Sequence, residues 1–256
     1  VIGLRTLLFQ LAFGLWTTVL GIAFLPLLLA PPLAMMRFGT FWSAGTLWLL
    51  RVCVGLDFEI VGREHLPPGP ALIAMKHQSA WDTFAAPVIF RNVALVIKRE
   101  LGWIPFYGWY ALKAGMIPID RSGGAGALKR MVAASEKALA AGRPVLIFPE
   151  GTRSAVGACT AYQPGAVALY RQLGVPLVPV AVNSGLYWGR RHFLKRPGRI
   201  TVEILPAIAP GGERRAVMAE LENRIETATA RLVAAASHHE DKAVEDSSPA
   251  NRGSWA

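Results

Sequence analysis

The stretch KHQSAWD, residues 76–82, joins the apolar run ALIAM to a second one, TFAAPVIF. A connection between buried segments ordinarily uses Gly, Pro or Asn, yet this one carries an imidazole and a carboxylate. His77 and Asp82 stand five positions apart. On a continuous helix they would point about 140° away from each other. Across a strand-to-helix turn they can meet, so that the carboxylate fixes one imidazole tautomer and the other ring nitrogen accepts a proton from a substrate hydroxyl. A plainer reading uses the same residues. Ser79 and Asp82 fit the S-x-x-D capping box of a helix starting at Ala80, and His77 is then an ordinary loop residue.

A second stretch, FPEGTRS at residues 148–154, follows the apolar run PVLIF. In open α/β sheets ligands gather beyond the carboxyl ends of strands. Glu150, Gly151, Thr152 and Arg153 fall at such a position, with the glycine permitting a tight turn. The arginine can fork onto phosphate oxygens, and the glutamate can accept from a hydroxyl or orient that arginine. A structural Glu–Arg pair at a turn fits the same letters. The third stretch, KRELGWIPFYG at 98–108, also follows a strand-like run. Lys98 and Arg99 can neutralise a phosphate, as can Arg121 after GMIPID. The aromatic residues Trp103, Phe106, Tyr107 and Trp109 suit a fatty chain or bilayer rim, or simply a core.

Other chemistries lack their signatures. There is no G-x-S-x-G nucleophile elbow, no Walker A sequence and no dinucleotide fingerprint after a first strand. No metal-ligand cluster stands out, and Cys53 and Cys159 are too few and too separate for a disulfide framework or zinc site. What remains is a base, anion-binding groups and apolar surface.

These groups need a scaffold, and the pattern from Phe58 onward supplies one. Short runs rich in Val, Ile and Leu (FEIV, ALIAM, VALVI, GMIPI, PVLIF, PLVPVAV and ITVEIL) read as strands. Longer amphipathic runs lie between them: TFAAPVIF, ELGWIPFYGWYALK, GALKRMVAASEKALAAG and GAVALYRQLG. Continuous apolar strands separated by helices predict an α/β fold, a largely parallel sheet flanked by helices. A terminal amphipathic helix opens after Gly211 and Gly212. The expected organisation is an anchor at 1–56, a catalytic domain at 57–236 and a disordered polar tail at 237–256.

The anchor follows from residues 7–29, which hold no charge. As a helix they would rise about 34 Å, enough to cross a hydrocarbon core. Pro31 and Pro32 interrupt, and a second apolar segment with Trp42, Trp48 and Arg51 suits the headgroup boundary. A single crossing and a helical hairpin dipping in from one face are both open. Charged residues form 17% of the chain, below the roughly 25% of a soluble domain, and the net charge is +10. High apolarity with basic charge favours an anionic lipid surface over nucleic acid, for which no clustered basic-aromatic module is present.

Taken in order, KHQSAWD, KRELGWIPFYG, FPEGTRS and VPLVPVAVNSG resemble the four motifs of the 1-acyl-sn-glycerol-3-phosphate acyltransferase family, also called lysophosphatidate acyltransferases. The resemblance runs from about Phe58 to Pro206. It implies His77 as base with Asp82 as its partner, Lys98 near the acceptor phosphate, and Glu150, Gly151, Thr152 and Arg153 shaping the acceptor pocket. Pro179 would close the site wall. One departure is visible, Lys76 standing where the family commonly has asparagine. The implied reaction moves an acyl chain from an acyl-CoA or acyl-ACP thioester to the sn-2 hydroxyl of lysophosphatidate at the cell membrane, with the domain facing the cytoplasm. No metal or further cofactor is implied. Another lysolipid acceptor, such as a lyso-ornithine lipid, or a lipid-binding protein without chemistry, are the competing expectations.

Overall fold

A computed structural model describes residues 1–121 and 123–247, the side chains of 238–247 excepted. Seven strands form one sheet: Leu56–Val61 (β1), Leu72–Met75 (β2), Ala94–Lys98 (β3), Ile117–Ile119 (β4), Val145–Ile147 (β5), Leu177–Val182 (β6) and Gly198–Ile204 (β7). Each falls on one of the seven apolar runs. Their order across the sheet is β1-β7-β6-β2-β5-β3-β4. All neighbouring pairs are parallel except β6 and β7. The connection between those two contains no α-helix, and antiparallel neighbours need no crossover helix.

The helices are Ile2–Ala23 (α1), Pro32–Leu49 (α2), Ala80–Ile89 (α3), Tyr107–Lys113 (α4), Gly124–Ala140 (α5), Pro164–Leu173 (α6) and Arg214–Ser247 (α7). Strand alternation sorts them into two layers. Ile73 and Met75 of β2 pack with residues of α1, α2 and α3, whereas Leu72 and Ala74 pack with α5, α6 and α7. Successive side chains of a strand point to opposite faces, so both faces of a central strand must be apolar.

Two details depart from the sequence expectations. The run 100–113 is broken: a 3-10 turn spans Arg99–Trp103, Phe106 takes a left-handed φ of 62°, and only then does α4 begin. Pro105 is the cause, because the residue before a proline is pushed away from the helical region. The terminal helix α7 continues to Ser247, past the point where a polar tail was expected, and residues 248–256 lie outside the described residues. The amino-terminal segment, expected as an anchor, packs on the domain. Phe9 of α1 is completely buried in the same core as the sheet, and Phe13 tilts against Phe84 of α3. α1 and α2 are also tied together, since the Trp16 indole donates to the Trp42 carbonyl and the Trp42 indole to the Thr17 hydroxyl.

Candidate active site

Strands β2, β3, β4, β5 and β6 run in one direction, so their carboxyl ends share one edge of the sheet. Lys76 and His77 leave β2 there, Glu150 follows β5, Lys98 ends β3 and Ser184 follows β6. The edge expected to bind ligand therefore collects the chemistry-bearing residues from four separate stretches of sequence.

At the turn from β2 into α3, His77 Nδ1 lies 2.9 Å from Asp82 Oδ2. The same carboxylate oxygen accepts the backbone N–H groups of Gln78 and Ser79, each at 2.8 Å. Its other oxygen accepts the Ser184 hydroxyl at 2.6 Å. The Ser79 hydroxyl accepts the Trp81 N–H at 3.1 Å, completing a capping box for α3. The two readings of S-x-x-D and H-x4-D are thus one object. The carboxylate that caps the helix also orients the imidazole. Because a carboxylate only accepts, Nδ1 carries the hydrogen and Nε2 is left as the basic nitrogen. Asp82 is completely buried, whereas 13% of the His77 side chain stays exposed. The ring lies flat on Phe148, with centroids 3.9 Å apart and planes at 14°.

The FPEGTRS turn is laced to this corner. Glu150 Oε2 accepts the His77 N–H at 2.8 Å, and the His77 carbonyl accepts the Ser154 N–H at 2.8 Å. Gly151 adopts φ +67°, and a Cβ there would come within 3.1 Å of Gln163 Cγ. Glu150, Gly151 and Thr152 line a cleft of about 650 Å³ together with Arg121, Gln163 and Arg214.

Beneath the turn sits a buried charge cluster. The Lys76 ammonium is 2.7 Å from Glu150 Oε1 and 2.7 Å from Glu226 Oε1 of α7. The Tyr162 hydroxyl donates to the same Glu226 oxygen at 2.9 Å. Burial alone would lower the Lys76 pKa, but the hydrogen bonds and charges of Glu150 and Glu226 outweigh it and hold the ammonium above its ordinary range. The Tyr162 hydroxyl is pushed up, first by burial and then by Glu226. Both Glu150 oxygens are thus engaged within the protein, one by Lys76 and one by the His77 backbone.

The remaining expected residues are more peripheral. Lys98 is exposed and 3.6 Å from Glu100. Arg153 is half-buried next to Ser154. Pro179 is buried within β6 in register with Ala74, and its carbonyl accepts the Leu205 N–H at 3.0 Å. Sequence reasoning missed Ser184, Tyr162 and Glu226. Ser184 lies in the quoted VPLVPVAVNSG stretch, so its nearness to a strand's carboxyl end was available. For Glu226 the available signal was Lys76 itself. Its even-numbered place after Leu72 and Ala74 directs it at a helical layer, where an ammonium needs a carboxylate.

Among the described residues, no group of three or more His, Cys, Asp or Glu is placed to hold a metal ion. A family model described as Acyltransferase matches residues 57–183. A curated 1-acyl-sn-glycerol-3-phosphate acyltransferase of Pseudomonas aeruginosa is 41% identical over 185 residues, covering 72% of each chain. The mouse protein named 1-acyl-sn-glycerol-3-phosphate acyltransferase alpha is 32% identical over 62% of this chain and 57% of its own length. A crystal structure of the 1-acyl-sn-glycerophosphate acyltransferase of Thermotoga maritima superimposes with a TM-score of 0.75 over 90% of this chain and 95% of that one, at 19% identity. Sheet, site and family model together define the class as an acyltransferase domain. The chain belongs to the 1-acyl-sn-glycerol-3-phosphate acyltransferase family.

Proposed function

We propose that this protein transfers a fatty acyl chain from a thioester, on coenzyme A or acyl carrier protein, to the sn-2 hydroxyl of 1-acyl-sn-glycerol-3-phosphate. The product is phosphatidate. The observation that carries the chemistry is the His77–Asp82 pair, with Nδ1 committed to the carboxylate and Nε2 free to act. Nε2 removes the acceptor's hydroxyl proton as that oxygen attacks the thioester carbonyl, and Asp82 stabilises the imidazolium that forms. The C–S bond then breaks, and the departing sulfur takes the proton back from His77. Arg153 and Lys98 hold the acceptor phosphate, which decides which hydroxyl faces the base. Arg153→Ala accordingly raises the KM for the acceptor and leaves that for the thioester.

The lipid substrate requires a site within reach of a bilayer. α1 is long and apolar enough to span a membrane, and only 17% of its most apolar window is buried inside the protein. Its packing favours the hairpin. Thr6, Phe9 and Phe13 touch the catalytic domain along successive turns, which a helix leaving the domain to cross the bilayer would not do. α1 and α2 lie in one face of the membrane with the site beside them, and that face is the cytoplasmic one, where thioester carriers are made.

The test is to offer the purified protein a mixed pool of acyl thioesters with several lysolipids and to weigh the products. Phosphatidate should dominate. Acylated ornithine lipid or phosphatidylcholine in its place would overturn the acceptor assignment, and thioester that is bound but never consumed would overturn the reaction.

A further inference from the structure

The connection between β6 and β7 has a feature the reaction does not use. From Tyr187 to Arg199 it carries five Lys or Arg residues and no acidic one. At its tip Phe193 and Leu194 are 55% and 50% exposed. Two adjacent large apolar side chains held in water, amid cations, call for a partner that offers both hydrocarbon and negative charge.

The arm is firmly mounted. Thr6 Oγ1 of α1 accepts the Lys195 N–H at 3.0 Å, and both residues are almost wholly buried. The Lys195 ammonium turns inward, donates to the Phe193 carbonyl at 3.1 Å, and lies 4.5 Å from the Trp188 ring centroid and 5.4 Å from that of Phe9. Such cation–π contacts fasten the arm to the first turns of α1. Leu4, Leu8 and Leu11 on those turns remain exposed, so the apolar tip extends the helix's apolar surface. Arg190, Arg191 and Arg196 are exposed and have no acidic partner among the described residues.

We propose that residues 189–197 form a lipid-docking arm: Phe193 and Leu194 enter the interfacial zone of an anionic phospholipid bilayer beside α1, and Arg190, Arg191 and Arg196 engage its phosphates. The proposal rests on the membrane reading above and adds the lipid class and the docking residues. Headgroup attraction of the usual size per arginine corresponds to roughly a fivefold gain in partitioning each, so the three together give a factor on the order of 100.

The experiment uses the full chain with Cys53 and Cys159 replaced by serine and a polarity-sensitive dye on Leu194→Cys. Vesicles are phosphatidylcholine alone or with phosphatidylglycerol. The dye should move to an apolar environment with the anionic vesicles, while the same dye on Lys137→Cys, in α5 on the opposite helical layer, stays in water. Replacing Arg190, Arg191 and Arg196 by serine should lower partitioning into anionic vesicles on the order of 100-fold and barely alter it for neutral ones. In detergent-dispersed acceptor that triple variant should keep wild-type turnover, and loss of turnover there would overturn a docking role. A dye that remains in water on vesicle-bound protein sinks the arm and spares the α1 reading. Failure of the protein to bind either vesicle sinks the membrane reading itself.

Discussion

Replacing Lys76 by methionine keeps most of the side-chain volume and removes the one cation between two carboxylates. Opposite charges about 4 Å apart attract by ~4 kcal/mol at an effective dielectric near 20. That figure applies almost undiminished to Glu150, whose side chain is completely buried, and is screened for Glu226, which is 21% exposed. The desolvation of the ammonium is recovered, but two carboxylates are left facing each other. The net loss at neutral pH is about 3–5 kcal/mol, the scale for breaking a buried pair by removing one partner. For a chain of this size each kcal/mol moves Tm by ~2–4 °C, so the melting point should fall by about 10 °C.

The pH dependence gives the sharper test. The folded-state pKa of Lys76 lies above its ordinary value of 10.5, so its stabilising contribution is complete below that pH and fades only as pH rises through the folded value. Wild type should lose stability on that alkaline side for this reason, and Lys76→Met should lack that part of the slope. Glu226→Gln should cost only about 1 kcal/mol, since the Lys76–Glu150 pair survives and an amide oxygen still accepts from Lys76 and Tyr162. Thermal unfolding in detergent micelles from about pH 7 to pH 11 compares the alkaline slopes of wild type and the two variants. A Met variant melting within about 2 °C of wild type at neutral pH, with the alkaline slope intact, would refute the reasoning.

Ser184→Ala removes the hydroxyl that donates to Asp82 Oδ1 and leaves the Oδ2 bonds in place. A hydrogen bond to a charged group contributes about 1.5–3 kcal/mol, so kcat should fall by roughly 10- to 100-fold while both KM values hold, measured by thiol release. Gly151→Ala forces a side chain into a left-handed conformation and towards Gln163, and should lower stability by about 1–3 kcal/mol in thermal unfolding.

The elements of the catalytic domain were legible because strand and helix periods are local. All seven apolar runs became strands, and the chemistry fell at the ends of those that run parallel. His77 and Asp82 could be paired on paper because a strand-to-helix turn can bring them together, whereas the union of capping and orienting carboxylate in one group is visible only in the fold. Long-range choices left no such mark. Nothing local states that β7 returns antiparallel to β6, or that Lys76 meets a glutamate 150 positions away. Within α7, Leu221, Ile225, Ala228 and Leu232 make the buried stripe, and Glu226 sits at its margin where either solvent or a buried cation fits the pattern. The broken helix at 100–113 follows from Pro105, whose effect on the preceding residue an amphipathic pattern does not register.

The central claim, that the Asp82-held imidazole of His77 takes the acceptor's proton, is tested most directly by turnover of purified His77→Ala with acyl thioester and lysophosphatidate. The account predicts thiol release reduced by ~10²–10⁴-fold in a protein that still melts cooperatively. Turnover near that of wild type in such a folded variant would contradict it.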